Sequence, residues 1–408
     1  MVKEIKNKIV KRKNKKIKNN FTTSEVVFLI IITCIVSLLM GFVISRNKKT
    51  ENYQIKDKNL KEFIENYNYV KENYYEELDS KGLLDSAFEG MLSSLDDGYS
   101  YLMDESDSNT FNIQLNGEYK GIGIEVVSFE SGETIVYRVF EDTPAEKAGL
   151  KAGDIIKKID GKTFEDKEAT DIAKYIKNKT DKKFKITVIR DDKEKELEVN
   201  KDNVTIKAIK SKIYKKNDKK IGYIYIEIFS NVAYKQFKEQ LEKLESEKID
   251  SLIIDVRDNT GGHLTTATKI MSLFLDSKHV IYQTETKTKK EKFYSTGKTT
   301  KEYPIVILQN NNSASASEML SATLKEEYGA KVVGESSYGK GTVQELMNLS
   351  NGSEYKITTK KWLTPKGNWI NKVGVKPDYE VSLNKEYMEE QTEENDNQLQ
   401  KALEVLSK

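Results

Sequence analysis

The chain has 408 residues, with 67 Lys and Arg against 65 Asp and Glu, two histidines and one cysteine. Two isolated histidines, His263 and His279, argue against a clustered zinc site. The lone Cys34 excludes an intramolecular disulfide and leaves no thiol nucleophile after residue 34.

Residues 1–19 hold nine Lys or Arg and one Glu, a net +8, which leaves −6 for the remainder of a chain of net +2. An apolar run from Val26 to Ile44 follows, interrupted only by Thr33, Cys34, Ser37 and Gly41. About 20 such residues cross a hydrocarbon core. The larger basic excess lies N-terminal to the run, so the positive-inside rule predicts a cytoplasmic tail over 1–25, a membrane anchor over 26–45 in contact with lipid, and an extracytoplasmic remainder. A cleavable signal peptide is the alternative, although no small-x-small site follows the run. The mildly acidic outer portion is unsuited to binding nucleic acid.

Residues 50–111 read as a helical module. Leu60, Phe63, Tyr67, Val70 and Tyr74 recur at helical steps, as do Leu83, Leu84, Phe88, Met91, Leu92 and Leu95. Asp96–Ser100 closes it as a turn. Residues 112–200 are β-rich, with strands expected over 122–127, 134–139 and 184–189. Thr143 and Pro144 open a short helix, an Asp160-Gly161 turn closes a strand, and 169–176 forms a second helix. The alternating Gly121-Ile122-Gly123-Ile124 suits either a tight turn or a backbone cradle for a carboxylate.

Residues 201–385 read as an α/β core. Leu252–Val256 is a short apolar strand that runs into Arg257-Asp258-Asn259-Thr260-Gly261-Gly262, with a helix expected over 264–275. Open sheets place binding loops at such strand ends. Arg257 and Asp258 read most simply as an ion pair or loop anchor. A second strand, 305–308, leads into Ser313-Ala314-Ser315-Ala316-Ser317-Glu318 and a helix over 317–327. Strands are expected over 331–334, 342–346 and 355–362. The acidic segment 386–408 is either a docked helix or a frayed tail.

The chemistry resides in the serine-rich turn and in Gly339-Lys340-Gly341-Thr342-Val343-Gln344. A serine hydroxyl needs a base, and a lysine serves once burial lowers its pKa. Ser315 stands at the start of the helix, where Ala316 can offer an N–H to a developing oxyanion, with Gly261 or Gly262 as second donor. On a regular strand, positions 340, 342 and 344 share a face, so Gln344 is expected to aim the amine. The plainer readings are that the serines cap a helix, that a glycine-flanked lysine is a solvated turn, and that Glu318 answers the helix dipole.

These motifs, together with Ser94-Leu95-Asp96, Pro144-Ala145, Gly153-Asp154, Gly334-Glu335, Thr364-Pro365, Gly367, Gly374 and Pro377-Asp378, resemble the carboxyl-terminal processing peptidases, or tail-specific proteases, over residues 55–382. The resemblance implies an α/β (α+β) serine peptidase core carrying an inserted PDZ domain, here 112–200. It implies Ser315 as nucleophile, Lys340 as general base, Gln344 as the residue positioning the lysine, and an oxyanion hole from Gly261 or Gly262 with Ala316. It also implies capture of a substrate's free, apolar C-terminus near Gly121–Ile124, PDZ gating of the dyad, and no cofactor. A homo-oligomer or an activating partner fits the same picture, and a composition rich in Lys, Asn, Ile and Tyr fits a low-GC Gram-positive bacterium. The competing classes are a tail-binding scaffold with little turnover and a serine esterase or amidase. Two departures stand out. Asp97-Gly98-Tyr99 replaces the usual Pro-His, in a turn expected away from the chemistry, and Asp258-Asn259-Thr260 replaces Asn-x-Pro in the oxyanion loop.

Overall fold

The computed structural model describes residues 56–129, 132–164, 167–349 and 353–408. The expected anchor over 26–45 and the basic tail before it lie outside the described residues. No described helix is long and apolar enough to cross a membrane. The chain forms two compact units, 1–83 and 84–408.

In the first unit, Asp57 caps the Lys58–Asn73 helix by accepting from the N–H groups of Asn59 and Leu60. The expected apolar stripe is present, yet no residue of this helix is buried. A second helix spans Ser80–Ser93.

In the second unit, the expected β-rich region is a six-stranded sheet whose main path runs Ile124–Ser128, Thr134–Val139, Ile155–Ile159, Lys183–Arg190 and Lys193–Asn200. Ile156, Ile159, Ile172, Ile186 and Val188 fill its core. Both ends of this insert meet in one antiparallel ladder, where Glu118–Gly121 pairs with Asp202–Thr205.

The larger core is built on a six-stranded sheet in the order Ile209–Lys216, Lys219–Ile226, Ser251–Asp255, Ile305–Gln309, Lys331–Gly334, Tyr379–Glu380. Only the first pair is antiparallel. Its central strands, Ser251–Asp255 and Ile305–Gln309, carry apolar residues on both faces because both faces are covered. Leu252, Ile254 and Ile307 pack with Phe237, Ile270 and Met319 from the helices on one side. Ile253, Val306 and Leu308 pack with Leu399, Leu403 and Leu406 on the other.

Those leucines belong to the Asn397–Ser407 helix, which settles the choice between docked helix and frayed tail. Arg257 secures it. Its buried guanidinium bonds to Asp255 and reaches Asp396 at 2.9–3.0 Å and Gln398 at 3.2 Å. The expected Arg257–Asp258 pair does not form, because Asp258 instead accepts from Asn310 and Asn312.

A second, five-stranded sheet contains Tyr101–Met103, Val280–Glu285, Lys290–Tyr294, Thr342–Asn348 and Glu354–Leu363. Two helices are shorter than their patterns suggest. Leu264–Met271 ends four residues early, and Ala316–Thr323 loosens into a π turn over Leu324–Tyr328.

Candidate active site

The strand Ile305–Gln309 delivers the serine-rich turn to the carboxyl end of the sheet, beside the loop that leaves Ser251–Asp255. Two of its three serines are structural. Ser313 Oγ donates to Val256 O at 2.8 Å, Ser317 Oγ donates to Asn259 O at 2.7 Å, and both side chains are fully buried. Ser315 is half-buried and occupies the N-cap position with φ 55° and ψ −109°. A non-glycine residue there is strained and persists only because its surroundings hold it. The bonds of Ser313, of Ser317 and of Ala314 N to Asn259 O (3.0 Å) supply that support.

The glycine loop lies against this turn. A Cβ on Gly261 would stand 2.9 Å from Ala314 O, 3.0 Å from Ser315 Cβ and 3.2 Å from Ala316 N, so a side chain there would displace the serine. Gly261 donates its N–H to Asn259 Oδ1 at 2.8 Å. Among the described residues Gly262 N and Ala316 N have no acceptor, which makes Gly262 the better second donor of the two glycines. Asn259 also donates to Ile226 O, so this side chain fixes the loop.

Lys340 sits at the end of a tightly backed turn. Trp362 Nε1 donates to Lys340 O at 2.7 Å, and Trp369 Nε1 donates to Gly341 O at 2.8 Å. Gly341 is required because a Cβ would come within 2.8 Å of Asn371 N and the Trp369 indole nitrogen. Glu318 joins this turn to the serine. One fully buried carboxylate accepts from Ser315 N (2.8 Å) and Lys340 N (2.9 Å) on Oε2, and from Ser337 Oγ and Gly339 N (both 2.6 Å) on Oε1. Burial pushes the Glu318 pKa up, while those four donors pull against the shift. Glu318 lies in the first turn of its helix, as the dipole reading expects, but it is fully buried.

Burial lowers the Lys340 pKa, and the charge of Lys356 lowers it further, against the opposing pull of Asp97 and Glu318. Its ammonium lies 4.5 Å from the centroid of the Tyr99 ring. Among the described residues no hydrogen bond joins the amine to Ser315 or to Gln344. Lys340 lies before the strand, which starts at Thr342, and the register with Glu354–Leu363 shifts between Val343 and Gln344. Gln344 Nε2 donates instead to Thr342 Oγ1 (2.9 Å) and Thr358 Oγ1 (3.0 Å). The 97–99 turn, expected away from the chemistry, is in fact packed against the lysine. Sequence reading missed it because its partner strand, Glu354–Leu363, is about 250 residues distant.

In the β-rich insert, the Gly121–Ile124 segment is buried at its first three residues. Its Ile122 and Gly123 carbonyls accept from Ala145 N (2.8 Å) and Phe140 N (3.0 Å). Gly123 has φ 91°, and a Cβ there would strike Thr143 at 2.3 Å. The Ile122 side chain belongs to the insert's core, which leaves only its backbone to meet a ligand. The Gly123 N–H faces the Tyr119 phenol, whose pKa burial raises to about 12.

Comparison with known proteins gives three family matches: Peptidase family S41 over residues 220–381, a PDZ domain over 120–200, and the Activating protease CtpB N-terminal domain over 42–107. Carboxy-terminal processing protease CtpB of Bacillus subtilis (strain 168) is 35% identical over 79% of this chain and 68% of its own length. Carboxy-terminal processing protease CtpA of the same organism is 31% identical over 87% of this chain and 77% of its own. A crystal structure of an S41 protease from Bacteroides fragilis NCTC 9343 shares the fold, with TM-score 0.51 and 16% identity over 78% of this chain and 90% of its own.

Proposed function

We propose, for a chain that belongs to the S41 family of carboxy-terminal processing serine proteases and carries a PDZ domain, that a Ser315–Lys340 dyad performs the cleavage. Ser315 Oγ attacks a peptide carbonyl near the substrate's C-terminus as the Lys340 amine takes its proton. The N–H groups of Gly262 and Ala316 hold the oxyanion, and Gly261 allows the loop its close approach. Lys340 then gives the proton to the leaving amine and activates the water that releases the acyl group. Gln344 supports the lysine's segment, and its amide oxygen orients the amine when bound substrate tightens the site.

Residues 112–200 supply the tail reader, with the backbone of Gly121, Ile122, Gly123 and Ile124 facing the terminal carboxylate and an apolar side chain taken beside it. Residues 50–111 form the helical module, 201–385 the peptidase core and 386–408 the segment that docks on it. Residues 26–45 anchor the enzyme in the membrane of a Gram-positive bacterium, with 1–25 cytoplasmic and the peptidase outside.

The observation that carries this reading is the Glu318 carboxylate, which binds the main chain of Ser315 and of Lys340 through a single side chain. The test is cleavage of unstructured proteins with apolar C-termini by wild type, Ser315→Ala and Lys340→Ala, with one substrate amidated at its C-terminus. Cutting by wild type alone, with the amidated substrate spared, is expected. Binding without cutting by wild type selects the scaffold reading, and equal cutting by Ser315→Ala removes the nucleophile assignment.

A further inference from the structure

The Lys340 amine is faced from three directions. Asp97 and Tyr99 come from the 96–100 turn, Lys356 from the Glu354–Leu363 strand and Glu318 from the serine-bearing helix. Among the described residues, Tyr99 alone presents a ring face to the ammonium. That ring is firmly mounted. Tyr99 N donates to Asp97 Oδ1 at 3.1 Å and Ser100 Oγ to Asp97 Oδ2 at 2.6 Å, while Thr358 N donates to Ser100 Oγ at 3.0 Å and pins the turn to the strand. The Tyr99 hydroxyl is bonded to Tyr338, whose N–H in turn donates to Ser313 O in the serine-rich turn.

We infer that Tyr99 is a positioning residue for Lys340: its ring face seats the ammonium in the substrate-free enzyme and gives up the amine once it is neutral. A lysine side chain has large rotamer freedom, and a single seat removes most of it. An aromatic face attracts a cation and has no such hold on a neutral amine. The seat therefore retains the protonated form, which cannot act as a base, and lets the deprotonated form reach Ser315. The role of Lys340 as base is taken from the function proposed above.

The test uses the full chain with a cleavable tail peptide, recording kcat and KM against pH for wild type, Tyr99→Leu and Tyr99→Phe. Leucine keeps water out but has no π face. Loss of the attraction is expected to move the acidic limb of kcat down by about 0.4–1.5 pH units. The plateau kcat and KM should stay near wild type, because the ring does not hold the neutral amine that acts there. Phenylalanine should return the limb to its wild-type position. Limb position does not depend on how much of the sample is folded, so partial misfolding leaves the readout intact.

A Tyr99→Leu limb that coincides with wild type overturns the inference. A Tyr99→Phe limb displaced as far as that of leucine also overturns it, in favour of the hydroxyl bond to Tyr338. Lys340→Ala distinguishes failure of the underlying reading, since retained cutting there would show that lysine is not the base whatever Tyr99 does.

Discussion

Glu318→Gln is the most exacting single substitution for this site. Each oxygen of the wild-type carboxylate serves two donors: Ser337 Oγ and Gly339 N on one, Ser315 N and Lys340 N on the other. An amide has only one acceptor oxygen, so either orientation turns an NH2 group toward two donors. Two buried donors lose their partner, at about 1–3 kcal/mol each. Partial relaxation brings the expected total to about 2–4 kcal/mol, enough to lower the midpoint of urea unfolding clearly while leaving its slope unchanged. Activity should fall far more than stability. The backbone of Ser315 or Lys340 must shift, and sub-ångström misplacement of a catalytic group costs orders of magnitude in kcat. Glu318→Ala should be worse in both respects, since it strips the acceptor from all four donors. The assay is urea unfolding beside kcat on a tail peptide, for protein confirmed as folded. A Glu318→Gln enzyme with wild-type midpoint and kcat would refute the claim that this carboxylate ties the Ser315 and Lys340 turns together.

Other perturbations follow from the same geometry. Lys356→Met removes a charge that depresses the Lys340 pKa, so the acidic limb of kcat should move to higher pH; a limb that moves down or stays put contradicts this. Because the folded pKa of Lys340 lies below its unfolded value, the buried ammonium destabilises at pH 7, and that penalty fades as pH rises through the folded pKa toward the unfolded one. Lys340→Met should thus melt above wild type at pH 7 by a margin that shrinks near pH 10. Ser315→Gly should be more stable than Ser315→Ala by about 1–2 kcal/mol, since φ 55° and ψ −109° suit glycine, and equal melting temperatures would show the turn is unstrained. Asp396→Ala leaves the buried Arg257 guanidinium half-paired and should cost about 3–5 kcal/mol in chemical unfolding.

Much of this arrangement was legible in the sequence, for identifiable reasons. Strands 134–139 and 331–334 were readable to the residue because short β-branched runs are bounded there by glycine or charge. The Asn397–Ser407 helix was visible in its leucine spacing, but its docking was not, since that depends on Asp396 meeting Arg257, 139 positions away. At the site, the serine-rich turn and the glycine-flanked lysine could be singled out in the sequence, whereas the bonds of Glu318 to both were hidden behind a local explanation, the helix dipole, that suffices for most glutamates in a first turn. Gln344 illustrates the opposite failure. A two-residue period applies only within a strand: Thr342 and Gln344 do share a face, but the strand starts at Thr342 and Lys340 lies before it. The 97–99 turn was discounted because it looked like punctuation after a helix, and only the pairing of Tyr101–Met103 with Glu354–Leu363 brings Tyr99 to the lysine.

The ladder of Glu118–Gly121 with Asp202–Thr205 has a consequence for how such chains diversify. Because it is antiparallel, the insert leaves and rejoins the core at facing residues, Gly121 and Asp202, with Cα atoms roughly 5 Å apart. A short hairpin turn can span that gap, and closure entropy grows only slowly with the length of whatever replaces it. Recombination at this one doorway can therefore exchange the whole recognition cassette without rethreading the hydrolytic scaffold, so that ligand preference and bond-breaking machinery are free to drift at different rates.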